Sequence, residues 1–428
     1  MTQPVSTTRL TEYLADARAR TLELVDDLDP EQLMGPRLDI VNPLLWEIGH
    51  VAWFHEYFAL RRLGGGLPRM ANADGLYNSS TVPHDVRWDL PLPSRADTLE
   101  YMAQVHEAMI DRFNGEQATE QETALYLLTT YHEDMHDEAF IYTRQTLGYQ
   151  APRFAAAGSL RVENTGALSG DAAIGGVAFQ LGSTPSAVFV FDNEKWAHQV
   201  RVQPFRIARA PVTNTEFLAF VIEGGYRRRQ FWSEDGWCWR SEAQAEHPLY
   251  WIPQGASWAE RRFDGVEPLH PYRPVSHVNW YEADAWCRWA ERRLPTETEW
   301  EAAATTEPAS TCKRRYPWGN DPPFAHHANL DGSMLGTADV AAFPEGDSAW
   351  GCRQMLGNVW EWTATTFVPY PGFSPDVYED YSAPWFGSRK VLRGGAWATR
   401  SRMITGTYRN FFTPERRDII AGFRTCAI

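Results

Sequence analysis

Cysteine is scarce in this sequence: 5 in 428 residues, at positions 238, 287, 312, 352 and 426. They form no C-x-x-C pair and no other metal-ligand spacing. An odd, scattered set reads as reduced thiols in a reducing compartment. Long apolar runs are missing too, and none approaches the ~18 residues that a membrane span requires. The opening stretch, MTQPVSTTRLTEYL, has no basic segment followed by an apolar one, so no signal peptide is expected. A cytoplasmic protein that does not engage a membrane is the expectation. Positive charge is also in short supply, with 40 Lys and Arg against 55 Asp and Glu, a net charge of −15. Phosphate backbones need clustered cations. The short runs Arg227-Arg228-Arg229 and Arg314-Arg315 fit solvated faces, so no nucleic-acid partner is expected. There is no internal repeat and no long low-complexity tract.

Tryptophan is abundant instead, with 19 residues. Each brings a large apolar surface and one N–H to satisfy, which suits an irregular, loop-rich core or an aromatic-lined site. The length exceeds one ordinary core, and the chain has two grammars. Apolar periodicity predicts helices over 7–27, 43–63, 94–113 and 119–147. The first carries Leu10, Tyr13, Leu14, Ala17, Leu22 and Leu24 on one stripe. The second stops at Gly64-Gly65-Gly66, the third starts at Ser94 as N-cap, and the fourth stops at Gly148. Four antiparallel helices with a long connection over 64–93 make a bundle, a usual place for metal sites. From about 175 onward, short strand-like pieces alternate with turns rich in Gly, Pro, Asn and Asp. A helix over 281–292 and a second capped by Thr296 interrupt them. We therefore expect an α+β protein of two domains, 1–152 and 176–428, joined by a small, polar linker over 153–175.

Among 12 histidines, His132 and His136 stand out. At i and i+4 on a helix, both imidazoles face the same way and can reach one ion. The segment HEDMH also fits H-E-x-x-H, in which Glu133 would be the general base of a zinc hydrolase. No third protease ligand follows at a recognisable spacing, and that reading leaves His50 unexplained. His50 lies among Leu44, Leu45, Ile48, Val51 and Ala52, where an imidazole needs a partner for its ring nitrogens. A metal shared with the facing helix supplies one. Three imidazoles leave coordination positions open, as catalysis requires, and suit zinc, iron or copper. His55, five residues on, is expected to point elsewhere.

Several longer segments then carry a resemblance: NPLLWEIGHVAWFHEY, LYNSSTVPHDVRWDLPLPS, HEDMHDEA, PVSHVNWYEADAWCRWAERRLPTETEWEAAA, YPWGN, LGNVWEWT, VLRGGAW and RNFFTPERRDIIAGFRTC. Over nearly the whole chain the sequence resembles the sulfoxide synthases of the ergothioneine pathway and their relatives, the selenoneine synthases. The resemblance implies an N-terminal four-helix domain of the DinB type. It also implies a C-terminal domain of the formylglycine-generating, C-type-lectin-like fold. It implies Fe(II) held by His50, His132 and His136. The implied reaction uses O2 to couple a chalcogen donor to C2 of the imidazole of hercynine, N-trimethylated histidine. A quaternary ammonium favours aromatic faces, and the implied substrate-side residues are Arg87, Met135, Asn410, Phe411 and Phe412.

Some positions depart from the mycobacterial-type pattern. Phe412 stands where an acidic residue helps hold glutamyl-cysteine. His84 replaces one of two arginines, leaving Arg87, and Met135 replaces an amide. A pocket without those partners suits a selenosugar better than cysteine or glutamyl-cysteine. The resemblance implies a phenol near the iron, with Tyr370, Tyr378 and Tyr381 as candidates, Tyr378 and Tyr381 preferred, and Phe373 an alternative occupant of that place. Formylglycine-generating activity itself is excluded, because residues 398–411 lack the cysteine pair that binds copper. A pure lectin-like binding module would have no use for a buried three-histidine bundle.

Overall fold

The computed structural model describes all residues except 1–4, 156–157, 159, 161, 163–164 and 309–311. The chain divides into two compact units. The first comprises Met1–Phe154 together with two short pieces, Thr184–Val190 and Pro375–Tyr381; the second holds the remainder.

Four long helices build the first unit: α1 Thr7–Val25, α2 Leu44–His55, α3 Arg95–Asp111 and α4 Glu120–Leu147. Helix α1 packs on α4, and α2 packs on both α3 and α4. Local chemistry sets their ends. Ser94 accepts a hydrogen bond from the Asp97 amide, and Thr119 forms a capping box with Glu122. Gly148 closes α4 at φ 67°, a left-handed position that glycine enters without Cβ strain. Helix α2 does not run on regularly to the glycines as the periodicity predicts. It widens into a π-helical turn over Glu56–Arg61 before the last turn at Arg62–Gly64. The 64–93 connection is not featureless either, since it contains a short helix, Ala73–Tyr77. One α1 expectation fails. Leu10, Leu14, Ala17 and Leu24 are buried, whereas Leu22 is 40% exposed. Leu22 falls about 100° around the helix from Thr21, which holds the buried stripe instead.

The second unit is a loop-rich α+β body. One mixed sheet orders Asn410–Phe412, Lys390–Arg393, Trp360–Thr366 and Ala421–Gly422; the last pairing is parallel. A second sheet orders Asp171–Ile174, Phe205–Ala208, Cys426–Ala427 and Arg292–Arg293. Asp171–Ile174 is therefore strand within the stretch read as linker, and part of that stretch lies outside the described residues. Helices α5 Asn214–Ile222, α6 Glu234–Glu242, α7 Trp280–Trp289 and α8 Glu297–Thr305 surround the strands. Thr296 caps α8 as expected.

Several indole N–H groups of the second unit find acceptors, whereas that of Trp251 is buried without one among the described residues. Trp300 donates to Glu361 at 2.7 Å and Trp362 to the Val278 carbonyl at 2.9 Å. Buried arginines are paired as well: Arg424 meets both carboxylate oxygens of Glu361 at 2.6 Å. Arg393 bridges Glu297 and Glu301. These pairs tie the strands Trp360–Thr366 and Lys390–Arg393 to the Arg424 loop and to α8.

Candidate metal centre

The first unit brings the three predicted histidines together. His50 comes from α2, and His132 and His136 come from successive turns of α4. One nitrogen from each lies within 4.8 Å of the other two. Ring centroids are 5.1 Å apart for His50 and His132, 4.9 Å for His50 and His136, and 4.5 Å for His132 and His136.

Each ring is held from behind. His50 Nδ1 is 2.7 Å from the Tyr77 carbonyl, so Nε2 is the nitrogen left for an ion, and the ring stacks on Trp46 at 4.8 Å. His132 lies flat against Phe54, 3.5 Å between centroids. His136 Nδ1 is 3.4 Å from a Glu47 carboxylate oxygen. Burial pushes the His50 and His132 imidazoles well below their ordinary value, and the neighbouring His136 adds to the effect. Both are therefore neutral, the form that ligates. Among the described residues, His132 Nδ1 and His136 Nδ1 are buried without a hydrogen-bond partner. Three converging imidazoles with anchored rings fit a divalent metal ion such as Zn, Fe or Cu, with positions left open.

Glu133 faces the other way. Its carboxylate takes hydrogen bonds from Arg18 Nε at 2.9 Å and Thr21 Oγ1 at 2.8 Å, and lies 2.9 Å from His55 Nε2. Burial pushes this carboxyl up, but the Arg18 charge and the His55 ring outweigh it and hold the group well below the usual carboxylate range. A base locked toward α1 cannot serve a water on the histidine face, so the zinc-hydrolase reading fails. One residue is about 100° of helix, enough to turn Glu133 away from His132. His55 belongs to this network rather than to the triad.

The segment Pro375–Tyr381 supplies the phenols. Tyr378 lies 5.0 Å from Phe54, 5.2 Å from Phe58 and 6.1 Å from His132, ring to ring. Its phenol is pushed up to about 12 by burial. Tyr381 sets its hydroxyl 3.7 Å from Met135 Sδ and its ring 5.8 Å from Tyr378. Tyr370 sits in the second unit, donating to Glu297 at 2.5 Å, and Phe373 packs there on Phe386.

Arg87 lies behind the triad. Its guanidinium covers Trp46 at 3.9 Å, Nη1 donates to Asn42 at 2.7 Å and Nη2 to the Val82 carbonyl at 3.2 Å. Burial lowers it to about 10. His84 is turned to the Val41 carbonyl at 2.6 Å. Asn410, Phe411 and Phe412 form an edge strand of the second unit, where Phe411 stacks on Phe367 at 4.0 Å and Arg416 covers Phe412 at 5.3 Å.

The sequence reading missed Glu47, Trp46 and Phe54. Glu47 stands three residues before His50, so helical spacing could have flagged it. The Tyr77 carbonyl left no signal, because every residue type has one.

Comparison with known proteins agrees with this architecture. The DinB superfamily matches residues 13–139, and the sulfatase-modifying factor enzyme 1-like domain matches residues 162–427. The hercynine oxygenase of Mycolicibacterium thermoresistibile is 39% identical, covering 97% of this chain and 94% of its own. That of Mycobacterium tuberculosis is 39% identical over 96% of this chain and 97% of its own. The formylglycine-generating enzyme of Thermomonospora curvata is 33% identical over 60% of this chain and 93% of its own. Fold, site and relatives thus define an enzyme of the oxidoreductase kind that joins a DinB-type helical domain to a formylglycine-generating-enzyme-like domain. The chain belongs to the hercynine oxygenase family, the sulfoxide synthases of the ergothioneine pathway.

Proposed function

We propose that this chain is a cytoplasmic, O2-dependent non-haem Fe(II) enzyme that forms a carbon–selenium or carbon–sulfur bond at C2 of the hercynine imidazole. The observation that carries the proposal is the convergence of His50, His132 and His136, with one nitrogen from each within 4.8 Å of the others. The names of the full-length relatives support hercynine as the substrate. Bound there, Fe(II) would supply the redox chemistry with O2 that an imidazole and a thiol or selenol lack by themselves.

The chain's own groups do the rest. The Tyr77 carbonyl fixes the His50 ring, and Phe54 fixes the His132 ring. Tyr378, a half-buried phenol kept protonated, is the proposed proton or electron donor, with Tyr381 the second candidate. Met135 is proposed to contact substrate, and Arg87 lends positive charge from behind Trp46. Asn410, Phe411 and Phe412 are proposed hercynine contacts, tested by substitution and hercynine affinity.

We propose a selenosugar as the chalcogen donor. His84 is engaged with the Val41 carbonyl and Arg87 with Asn42 and Val82, so neither is presented to a peptide carboxylate. A buried carboxylate without such partners loses several kcal/mol, on the order of a hundredfold or more in affinity. The second reading, a sulfoxide synthase using cysteine or glutamyl-cysteine, is favoured by the kinship to the mycobacterial enzymes.

One assay separates these readings. The anaerobically purified protein should bind about one Fe(II), as a three-ligand site implies, and His50→Ala or His132→Ala should abolish binding and turnover. Given hercynine, O2 and a mixture of selenoglucose, thioglucose, cysteine and glutamyl-cysteine, it should yield mainly selenoneine by mass spectrometry. Efficient conversion of glutamyl-cysteine to a sulfoxide would transfer it to the second reading.

A further inference from the structure

We infer that Glu47 is a positioning residue that orients the His136 ring as a metal ligand, at the end of a partly buried chain Arg87–Asn42–Glu47–His136. The inference rests on the metal-centre reading above but concerns a residue that the reading does not use.

Glu47 sits in the first turn of α2 and is buried. A buried carboxylate without partners is costly, so its surroundings should explain it. Oε1 accepts from Asn42 Nδ2 at 2.9 Å and lies 3.4 Å from His136 Nδ1. Oε2 is buried and, among the described residues, has no hydrogen-bond donor; His136 Nδ1 is likewise without a partner. The unpartnered His136 Nδ1 thus stands 3.4 Å from Oε1 of a carboxylate whose other oxygen is also unpartnered. Asn42 is fixed in turn by Arg87 Nη1, which donates to its Oδ1 at 2.7 Å. Arg87 lies flat on Trp46 at 3.9 Å, and Trp46 lies on His50 at 4.8 Å.

The geometry assigns a direction to His136. With Nδ1 turned to Glu47, Nε2 is the nitrogen turned to the ion. A metal on Nε2 leaves the proton on Nδ1, the atom 3.4 Å from the carboxylate. A small rotation of the ring then turns this contact into a hydrogen bond that gives Nδ1 its acceptor. His50 has the same arrangement with a different acceptor, since its Nδ1 meets the Tyr77 carbonyl. Acceptors behind ligand histidines set ring orientation and tautomer, and losing one lowers metal affinity about 10–100-fold.

The test uses the full chain, wild type beside Glu47→Ala, Glu47→Gln and Asn42→Ala. Fe(II) affinity is measured anaerobically by calorimetry, and Co(II) absorption reports coordination geometry. Melting of the metal-free proteins separates positioning from folding. Glu47→Ala should lose affinity about 10–100-fold and change the Co(II) spectrum. Glu47→Gln, whose amide oxygen still accepts, should recover most of the loss. Asn42→Ala, which leaves the carboxylate in place but unsupported, should show a smaller loss and keeps the test open if Glu47→Ala does not fold. Variants that bind metal with wild-type affinity and spectrum, or that change only metal-free melting, overturn the inference and leave the metal centre standing. A wild-type chain that binds neither ion overturns both.

Discussion

Glu133 and His132 are chain neighbours with opposite duties. His132 turns to the triad, while Glu133 turns into a closed cluster with Arg18, Thr21 and His55. Removing one member of a buried ion pair strands the other, and the usual cost is about 3–5 kcal/mol. Glu133→Ala should therefore destabilise the helical unit by about that amount in chemical denaturation. It should not convert a protease into an inactive one, because the carboxylate has no access to the histidine face. A variant with wild-type stability would place Glu133 outside the Arg18 cluster. The motif H-E-x-x-H is legible in the sequence, but its meaning depends on which partners reach the Glu. Arg18 is 115 residues away in the chain, so no spacing announces it.

At the scale of elements, helix α2 approaches the short helix Ala73–Tyr77 closely enough to need glycine. A Cβ built on Gly49 would stand 2.2 Å from two ring carbons of Tyr77. Gly49→Ala must therefore push Tyr77 away, and overpacking of this kind costs about 1–3 kcal/mol. Tyr77 also presents the carbonyl that holds His50 Nδ1. Gly49→Ala should lower both the melting temperature and metal affinity, the latter about tenfold or more. Unchanged metal affinity in that variant would mean that the Tyr77 carbonyl does not set the ring. The helices and their caps were readable because capping and periodicity act within four residues. The π-turn at Glu56–Arg61 was not. There Glu56 answers to the Arg69 amide and the Tyr101 hydroxyl, each at 2.6 Å, and these contacts come from other elements.

For the whole molecule, pH acts through buried groups more than through the net charge of −15. Glu260 lies in the three-stranded sheet Trp251–Gln254, Ser257–Arg262 and Gly265–Pro268. Burial pushes its carboxyl from 4.5 up to about 7, with Arg262 and Arg273 opposing and Glu267 adding to the rise. Between those values the folded chain holds a proton that the unfolded chain releases. The stability from this group is complete below 4.5 and is lost as pH rises through about 7. Glu260→Gln keeps a neutral side chain at every pH. Its stability relative to wild type should therefore improve from pH 5 to pH 8, as read by urea denaturation at both values. An equal difference at the two pH values would contradict the assignment.

The sequence by itself determined the helices of the first unit, their caps, the three histidines and the α+β class of the second unit. The caps and the His132–His136 pair rest on short-range chemistry, a side chain bonding an amide three residues on and imidazoles one turn apart. His50 stands out by its apolar neighbours. Family resemblance added Tyr378 and Tyr381, but only the fold seats Tyr378 beside Phe54 of α2 and Tyr381 beside Met135 of α4, the latter 246 residues earlier in the chain. Tertiary structure alone decided that Leu22 faces outward, that Glu133 serves Arg18, and that Glu47 and the Tyr77 carbonyl stand behind the ligands. Those outcomes depend on which surfaces meet across the bundle. A backbone carbonyl or a single buried carboxylate acquires its role only from the group that folding brings opposite it.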